Sequence, residues 1–270
     1  DVYPIIQGSV KIYNSSDPED FDTKGEPIAE SPISDQAARV KINQNLHRQY
    51  FLVRFDDKYD IVTATRAPKL NYIQNFRDIG GYRNNHQKYI RWGMIYRAGS
   101  LDSMDYLSTK RLNLMGIRTL IDFRNLENFR TPPGTLHLEN VINLPLSLPC
   151  EAPLCDKIKN NELLRGDAVI FMQDLNLELS EKAKSTYKSM FNQLIVEDNP
   201  IIISGDLGKD YVGFAIALIM VALDMPKDVI LYDYLLSNTY LNKRNINLDC
   251  HKYPVHVQEA ITTLLSADER

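Results

Sequence analysis

The sequence predicts an α/β domain with a parallel sheet, preceded by a small β module. From about residue 69, strand-like and helix-like segments alternate, which is typical of such domains. Residues 1–68 instead hold short runs rich in β-branched and aromatic side chains. The run Pro200-Ile-Ile-Ile203 is short and wholly apolar, as expected for a central parallel strand. We therefore predict two domains, 1–68 and 69–270, joined at Ala67-Pro68.

The N-terminal module should contain four or more strands separated by polar turns. The runs that favour strands are Val10–Tyr13, Ala38–Ile42, Gln49–Phe55 and Asp60–Thr65. A sheet of this size has one apolar face that needs a partner surface. We expect a small sandwich-like module that packs on the following domain.

The second domain should alternate strands and helices around a long loop. A helix over 103–115 should end at Gly116, because glycine is favoured just past a helix end. Strands are predicted at 117–123, 141–144 and 200–203, and further helices at 167–175, 179–196, 209–223, 227–242 and 255–266. The segment 145–165 reads as a loop, and a loop this long is more often functional than random.

Composition excludes several classes of protein. The chain has 31 Lys and Arg against 35 Asp and Glu, a net charge of −4, which argues against a non-specific nucleic-acid binder. No apolar run approaches the ~20 residues that a transmembrane helix needs. The three cysteines, Cys150, Cys155 and Cys250, cannot all pair within one chain. Cys150 and Cys155 either form a short disulfide or stay thiols. A four-ligand zinc site lacks a second ligand pair, so neither metal nor cofactor is expected.

The segment from Pro200 to Gly213 reads as a strand, a glycine-containing turn and a buried helix. This geometry points backbone N–H groups and a positive helix end at one spot, which suits an anion. The turn can equally be structural. It is not a nucleotide P-loop, because no Ser or Thr follows Lys209.

Four further motifs occur in order: Asn75-Phe-Arg-Asp-Ile-Gly-Gly-Tyr82, Arg91 to Leu101, Ile121-Asp-Phe-Arg124, and Asp233 to Asn238. Together with the 200–213 segment they resemble the bacterial tyrosine and dual-specificity phosphatases. The signature of that family is His-Cys-x-x-Gly-Lys-Asp-Arg-Thr-Gly, and the mycobacterial secreted phosphatase belongs to it. The resemblance covers residues 70 to 245. It implies a tyrosine phosphatase-like parallel sheet flanked by helices.

The chain departs from that signature at its decisive positions. Gly208, Lys209, Asp210 and Gly213 match. Ser204 stands in place of the His, Gly205 in place of the nucleophilic Cys, Tyr211 in place of the Arg, and Val212 in place of the Thr. The family's chemistry needs a thiolate to attack phosphorus and a guanidinium to grip the phosphoryl oxygens. We therefore expect no cysteine-dependent phosphatase activity.

The charge of the loop points the same way. Asp206, Lys209 and Asp210 leave it with a net charge of −1. Asp206 should lie near any bound phosphate dianion, and two like charges ~4 Å apart repel by several kcal/mol at an effective dielectric of about 20.

The predicted ligand-binding set is Ser204, Asp206, Leu207, Gly208, Lys209, Asp210, Arg97 and Arg124. Lys209 would contact phosphate or hold a loop carbonyl or Asp. The resemblance makes Asp210 a candidate retained acid, although without a nucleophile a hydrogen bond to the loop is expected. Arg97 would line a polar site, and Arg124 would hold the loop by pairing with Glu127.

Two other groups of residues have alternative interpretations. Asn75, Arg77 and Asp78 are expected in a hydrogen-bonded turn closed by Gly80-Gly81. Ser204 or Asp206 could serve as a replacement nucleophile, since both residue types form covalent intermediates elsewhere.

Three functions follow. The first is a pseudophosphatase that binds or scaffolds, with a phosphorylated or anionic ligand or a protein as partner. The alternative is an active phosphoester hydrolase that uses a carboxylate or a metal-bound water. In the third, the second domain is a platform and the β module makes the contacts. Because the chain starts without Met, we expect that a leader or tag was removed. The location stays open, with export to a bacterial cell envelope or secretion as one hypothesis.

Overall fold

The computed structural model describes residues 8–41, 47–130, 132–242 and 252–267. The N-terminal part forms one antiparallel sheet of four strands in the order β2-β1-β3-β4. The strands are β1 (Ser9–Ser15), β2 (Ala29–Pro32), β3 (Tyr50–Phe55) and β4 (Tyr59–Ala64), and a 3-10 turn covers Ile33–Asp35. Along β1 and β3, more buried and less buried side chains largely alternate, as expected for strands with one face against a core.

Two expectations for this module are wrong. It is a single sheet, not a sandwich, and it includes β2 where no strand was predicted. Residues 38–41 form no strand, and residue 42 lies outside the described residues. The sequence Ala29-Glu-Ser-Pro32 has no β-branched residue. Its pairing with β1 at Ser9–Ile12 is therefore a tertiary effect.

The N-terminal sheet packs directly on the α/β domain. Arg48 donates to Asp78 at 2.5 Å and to the Tyr96 hydroxyl at 2.7 Å, and it is almost fully buried. The indole N–H of Trp92 donates to the carbonyl of Val62 at 3.0 Å. The α/β domain therefore supplies the partner surface that the sheet needs. The boundary at 68/69 stays a prediction.

The second sheet has five strands in the order β5-β6-β9-β7-β8. They are β5 (Arg77–Asp78), β6 (Ile95–Ala98), β7 (Thr119–Asp122), β8 (Asn140–Asn143) and β9 (Ile201–Ser204). All neighbours pair in parallel except β5 with β6. The apolar run at 201–203 is thus the central strand, as predicted.

The helices are α1 (Tyr106–Leu114), α2 (Glu151–Lys159), α3 (Arg165–Lys182), α4 (Lys184–Val196), α5 (Asp210–Ala222), α6 (Lys227–Leu235), α7 (Ser237–Tyr240) and α8 (Val255–Leu264). Helix α2 corrects the prediction of a loop over 145–165. The break between α3 and α4 falls at Ala183, and the helix expected over 227–242 is divided at Leu236. Pro153 lies in the first turn of α2, where proline is tolerated.

The core lies on both faces of the sheet, with helices on each side. Ile201 and Ile203 of β9 join a cluster with α3, α4 and α5, whereas Ile202 joins a second cluster with Leu112 of α1. This alternation of side chains along a buried strand fixes the register of β9. Among the described helices, none has the length and apolar character that a membrane crossing requires.

Candidate functional site

The candidate site is the loop from Ser204 to Lys209, which joins the central strand β9 to helix α5. Strands β6 and β7 pair with β9 on either side, so the loop emerges at the carboxyl edge of the sheet. Ligands of open α/β sheets bind at this edge. The apolar composition of β9 and α5 places the loop here, since both elements must be buried.

Gly208 shapes the loop. Its φ is +64°, and a Cβ at this position would lie 2.4 Å from the carbonyl carbon of Ala98. Its carbonyl accepts hydrogen bonds from Asn75 Nδ2 and Arg97 Nη2, both at 2.8 Å. The amide of Ser100 donates to the carbonyl of Asp206 at 3.2 Å. The loop is thus held from behind by its own backbone oxygens.

A buried ion-pair network supports these contacts. Asp233 accepts from Arg97 at 2.7 Å, from Arg77 at 3.1 Å and from the Tyr82 hydroxyl at 3.1 Å. Burial opposes ionisation of Asp233, but the two guanidinium groups outweigh it and lower the pKa of the carboxyl. Burial, to which Arg97 adds, lowers the pKa of Arg77 to about 10. Arg97 is fully buried in this network, so it does not line an open polar site as the sequence suggested.

Asn75 and Asp78 serve the same framework. Asn75 accepts from Arg77 through its side-chain oxygen, and Asp78 accepts from the amides of Gly80 and Gly93 at 2.7 Å each. Both residues are completely buried. Their positions are those of structural hydrogen-bonding groups.

Neither Ser204 nor Gly205, at the start of the loop, offers a reactive side chain. Ser204 is fully buried, and its hydroxyl donates to the carbonyl of Gly99 at 2.9 Å, which leaves it unsuited to attack. Gly205 has no positive φ, and an added Cβ would meet only Val212 Cγ2 at 3.2 Å. Within the described chain, nothing accepts a hydrogen bond from the amides of residues 206–209, including that of Leu207.

Lys209 and Asp210 pair with each other. The Lys209 ammonium donates to Asp210, and its side chain is fully buried while that of Asp210 is partly exposed. The sequence left two roles open for Lys209, a contact to phosphate or a bond to a loop carbonyl or Asp. The structure shows the second, with Asp210 as the partner. This pair leaves the Lys209 charge largely compensated.

Tyr211 faces helix α2. Its hydroxyl donates to the carboxylate of Glu151, and its carbonyl accepts from the Tyr187 hydroxyl at 3.1 Å. Burial, strengthened by Glu151, raises the pKa of Tyr211, so the hydroxyl stays neutral. The hydroxyl of Tyr211 is therefore committed to a protein acceptor.

Arg124 is fixed by two carboxylates. It forms a bidentate pair with Asp102 at 2.5 and 3.0 Å, contacts Asp122 at 2.9 Å and donates to the Ser100 hydroxyl at 3.0 Å. The predicted pairing with Glu127 is therefore wrong. Asp102 lies 22 residues earlier in the chain, so only the fold brings the two together.

Asp206 gives the site its charge. Asp206 is an exposed residue of the loop. Desolvation by the surrounding protein raises its pKa. Arg124 opposes that rise, whereas Asp122, Glu151 and Asp102 add to it. The surroundings of the loop are thus predominantly acidic.

Other groups offer little chemistry to this site. Cys150 and Cys155 are free thiols, so the disulfide alternative is wrong. Burial, helped by Glu178, raises the pKa of Cys150 to about 12 and keeps it protonated. Cys250 lies outside the described residues. In the parts of the chain that the structure describes, no group of three or more His, Cys, Asp or Glu residues is arranged to hold a metal ion.

Sequence reasoning missed Glu151, Asp102 and Asp233 as partners of the site. Glu151 lies in the segment interpreted as a loop, and the other two meet their arginines only through the fold. Asp122, the last residue of β7, is the one partner of Arg124 that is close in sequence, since the two are two residues apart.

A central parallel strand, a tight glycine loop and a buried helix make this an α/β domain with a candidate anion-binding loop at the carboxyl edge of its sheet. The comparisons with known proteins assign it further. The chain belongs to the tyrosine phosphatase family, whose family model matches residues 68–270.

Two curated phosphatase sequences are similar to it. One is described as a "putative tyrosine-protein phosphatase" of Cupriavidus necator and is 26% identical over 173 residues, covering 62% of this chain and 61% of the relative. The other is the triple specificity protein phosphatase PtpB of Mycobacterium tuberculosis, 24% identical over 188 residues, covering 61% of this chain and 66% of the relative. The chain thus spans less than two thirds of the length of these relatives.

One solved structure that the chain resembles is that of Pseudomonas aeruginosa TpbA in complex with phosphotyrosine. The identity is 12% and the TM-score 0.31, over 65% of this chain and 88% of that one.

Proposed function

We propose that the protein is a pseudophosphatase, a family member that binds a protein partner and does not hydrolyse phosphoesters. The observation that carries this proposal is the presence of Gly205 in the loop and of Tyr211 in the first turn of α5. Gly205 has no side chain that could attack phosphorus. Tyr211 places a neutral hydroxyl on Glu151 where the family signature has an arginine.

The neighbouring groups support the same conclusion. Arg124 lies close to the loop, but Asp102 and Asp122 already compensate its charge. Lys209 is paired with Asp210. No basic side chain of the loop is therefore left to neutralise a phosphoryl dianion.

Asp206 argues against tight binding of phosphate as well. Free loop amides favour an anion, but an exposed carboxylate beside them repels each unit of phosphate charge by about 1–4 kcal/mol at 4 Å, depending on solvent screening. We infer that the native loop excludes phosphoryl groups and that the ligand is a protein surface.

The test is phosphate release from para-nitrophenyl phosphate and from phosphotyrosine, phosphoserine and phosphothreonine peptides, with and without divalent metal. The expected result is no turnover above that of a matched Asp206→Asn variant. Calorimetry with inorganic phosphate should show no binding to the native chain at millimolar concentration.

The rival function is an active hydrolase that uses a carboxylate, and the exposure of Asp206 is the observation that favours it. Turnover that is lost in Asp206→Asn but survives substitution of all three cysteines would establish the rival and refute the pseudophosphatase. Turnover abolished by a single cysteine substitution would refute both.

A further inference from the structure

A second cleft lies where the N-terminal sheet meets the α/β domain. We call it the module cleft. Its volume is about 270 Å³, and it is bordered by the β1–β2 loop, by β4 and by residues 89–92. Ile90 and Trp92 form a buried floor, Ile61 is half-buried, and Tyr89 is 44% exposed. This cleft is separate from the loop at Gly205.

The size and lining of the module cleft suit one side chain. Small-molecule sites usually enclose about 300–1,000 Å³, so this volume is at or below their lower limit. The aliphatic and aromatic lining favours an apolar or aromatic group. A peptide that places a single anchor side chain in the cleft fits both properties.

The β1–β2 loop adds a strongly acidic rim. Residues 16–28 contain five exposed acidic residues and one lysine, a net charge of −4. The five are Asp17, Glu19, Asp20, Asp22 and Glu26. Among the described residues, no lysine or arginine lies within ion-pair distance of Asp17, Asp20 or Asp22. Their charges are therefore free to attract a basic partner.

The remaining charges at the rim do not oppose this. Glu19 pairs with Arg91 at 2.5 Å, but both side chains are more than 60% exposed. Such a pair is worth about 0–1 kcal/mol, so a partner's basic residue can replace Arg91. Asp60 is held by Arg54 in a bidentate pair at 2.8 Å. The net field at the rim is that of the unpaired loop carboxylates.

The main chain beside the cleft favours an extended ligand. β4 is the edge strand of its sheet, and the Val62 carbonyl points outward, since it accepts from Trp92. Residues two apart on a strand point the same way, so the N–H and C=O of Asp60 also face out. An extended partner peptide can form backbone hydrogen bonds with Asp60 while one of the peptide's own side chains enters the cleft.

We propose that the module cleft and the acidic β1–β2 loop form a docking site for an extended basic segment of a partner protein. One apolar or aromatic side chain fills the cleft, and flanking Lys or Arg residues meet the loop carboxylates. Nucleic acids and anionic membranes are repelled by the same charges.

Trp92 is the sole tryptophan of the chain and lines the cleft, so its fluorescence reports occupancy. The probe is the synthetic peptide Gly-Lys-Lys-Val-Leu-Val-Lys-Lys-Gly, titrated into the full chain at low salt. We expect a saturable change in Trp92 emission. Replacing the central Leu by Gly should weaken binding by about tenfold, and replacing the lysines by Glu should abolish it.

Two matched variants test the protein side. Neutralising Asp17, Asp20 and Asp22 together with Asn should weaken binding by about tenfold at low salt and by less at high salt. Neutralising the exposed Glu162, Glu181 and Asp198 with the corresponding amides changes the net charge equally and should leave binding unchanged.

Several outcomes would overturn the proposal. They are equal binding of the Leu and Gly peptides, equal weakening by both triple variants, and no emission change at millimolar peptide. A concentration-dependent change in Trp92 emission without peptide, accompanied by dimer formation in sedimentation, would assign the cleft to a second copy instead. None of these results depends on phosphate binding or turnover at the Gly205 loop.

Discussion

Introducing the cysteine and arginine of the family signature at positions 205 and 211 and removing Asp206 should create phosphate binding at the Gly205 loop. The perturbation is the triple change Gly205→Cys, Asp206→Ala and Tyr211→Arg. A cysteine is compatible with the backbone, because Gly205 has no positive φ and its added Cβ meets only Val212 Cγ2 at 3.2 Å. Val212 needs to shift by only a few tenths of an ångström. Gly208 and the contacts behind the loop are unchanged.

The magnitude follows from two charges. For each unit of phosphate charge, removing Asp206 relieves a repulsion of about 1 kcal/mol if water screens it fully, and of about 4 kcal/mol at an effective dielectric of 20. The exposure of Asp206 favours the lower value. A guanidinium at position 211 adds about 1.5–3 kcal/mol as a charged hydrogen-bonding contact. The low ends of both contributions together tighten binding by about 70-fold.

The assay is calorimetry with phosphate and with vanadate. The Gly205→Cys and Asp206→Ala double variant, which retains Tyr211, is the matched control and should bind more weakly. Glu151 will pair with the new guanidinium, so adding Glu151→Gln separates its effect from that of the arginine. A folded triple variant that binds no phosphate at about 10 mM would refute the idea that the loop amides form an anion site.

Three further predictions concern stability. Arg48→Met should lower the free energy of unfolding by about 3–5 kcal/mol, because Asp78 would stay buried without its counter-ion. Burial raises the pKa of Asp78, so in the variant its carboxyl takes up a proton as the pH falls and no longer needs a counter-ion. The loss of stability in urea titrations should therefore shrink towards pH 4. A loss that is independent of pH would contradict this mechanism. Gly208→Ala should destabilise the chain by more than about 1 kcal/mol in the same titrations, since its Cβ would overlap Ala98. Residues 1–68 alone should be mostly unfolded by NMR, and a dispersed amide spectrum would show an autonomous module.

The order of the main elements could be predicted because their patterns are local. The apolar run at 201–203 and the continuous apolar helix after it can only be buried, which places them at the centre of the sheet. The glycine at 208 marks the turn between them, and its positive φ explains why that residue type is needed. The same local features predict the position of the candidate site, between β9 and α5.

The errors have a common physical origin, which is that pairing is tertiary. β2 contains Ala29-Glu-Ser-Pro32 and has no intrinsic preference for a strand, yet β1 pairs with it. Arg124 has Glu127 nearby in sequence, but Asp102 offers a better bidentate geometry in the fold. Helix α2 was not predicted because a proline usually indicates a loop. Pro153 lies in the first turn of this short helix, where proline is tolerated.

The residues that hold the loop in place differ from those at positions 205 and 211. Asn75, Arg97 and Asp233 contact the loop from behind, through the carbonyl of Gly208 and through one another. The residues at positions 205 and 211, where the signature that this sequence resembles has its cysteine and arginine, make none of these contacts. Substitution at position 205 or 211 is therefore expected to leave the loop conformation intact, because the contacts behind the loop use different atoms. It follows that the buried arginines alone do not distinguish an active loop from an inactive one, and that cysteine-type chemistry would depend on positions 205 and 211.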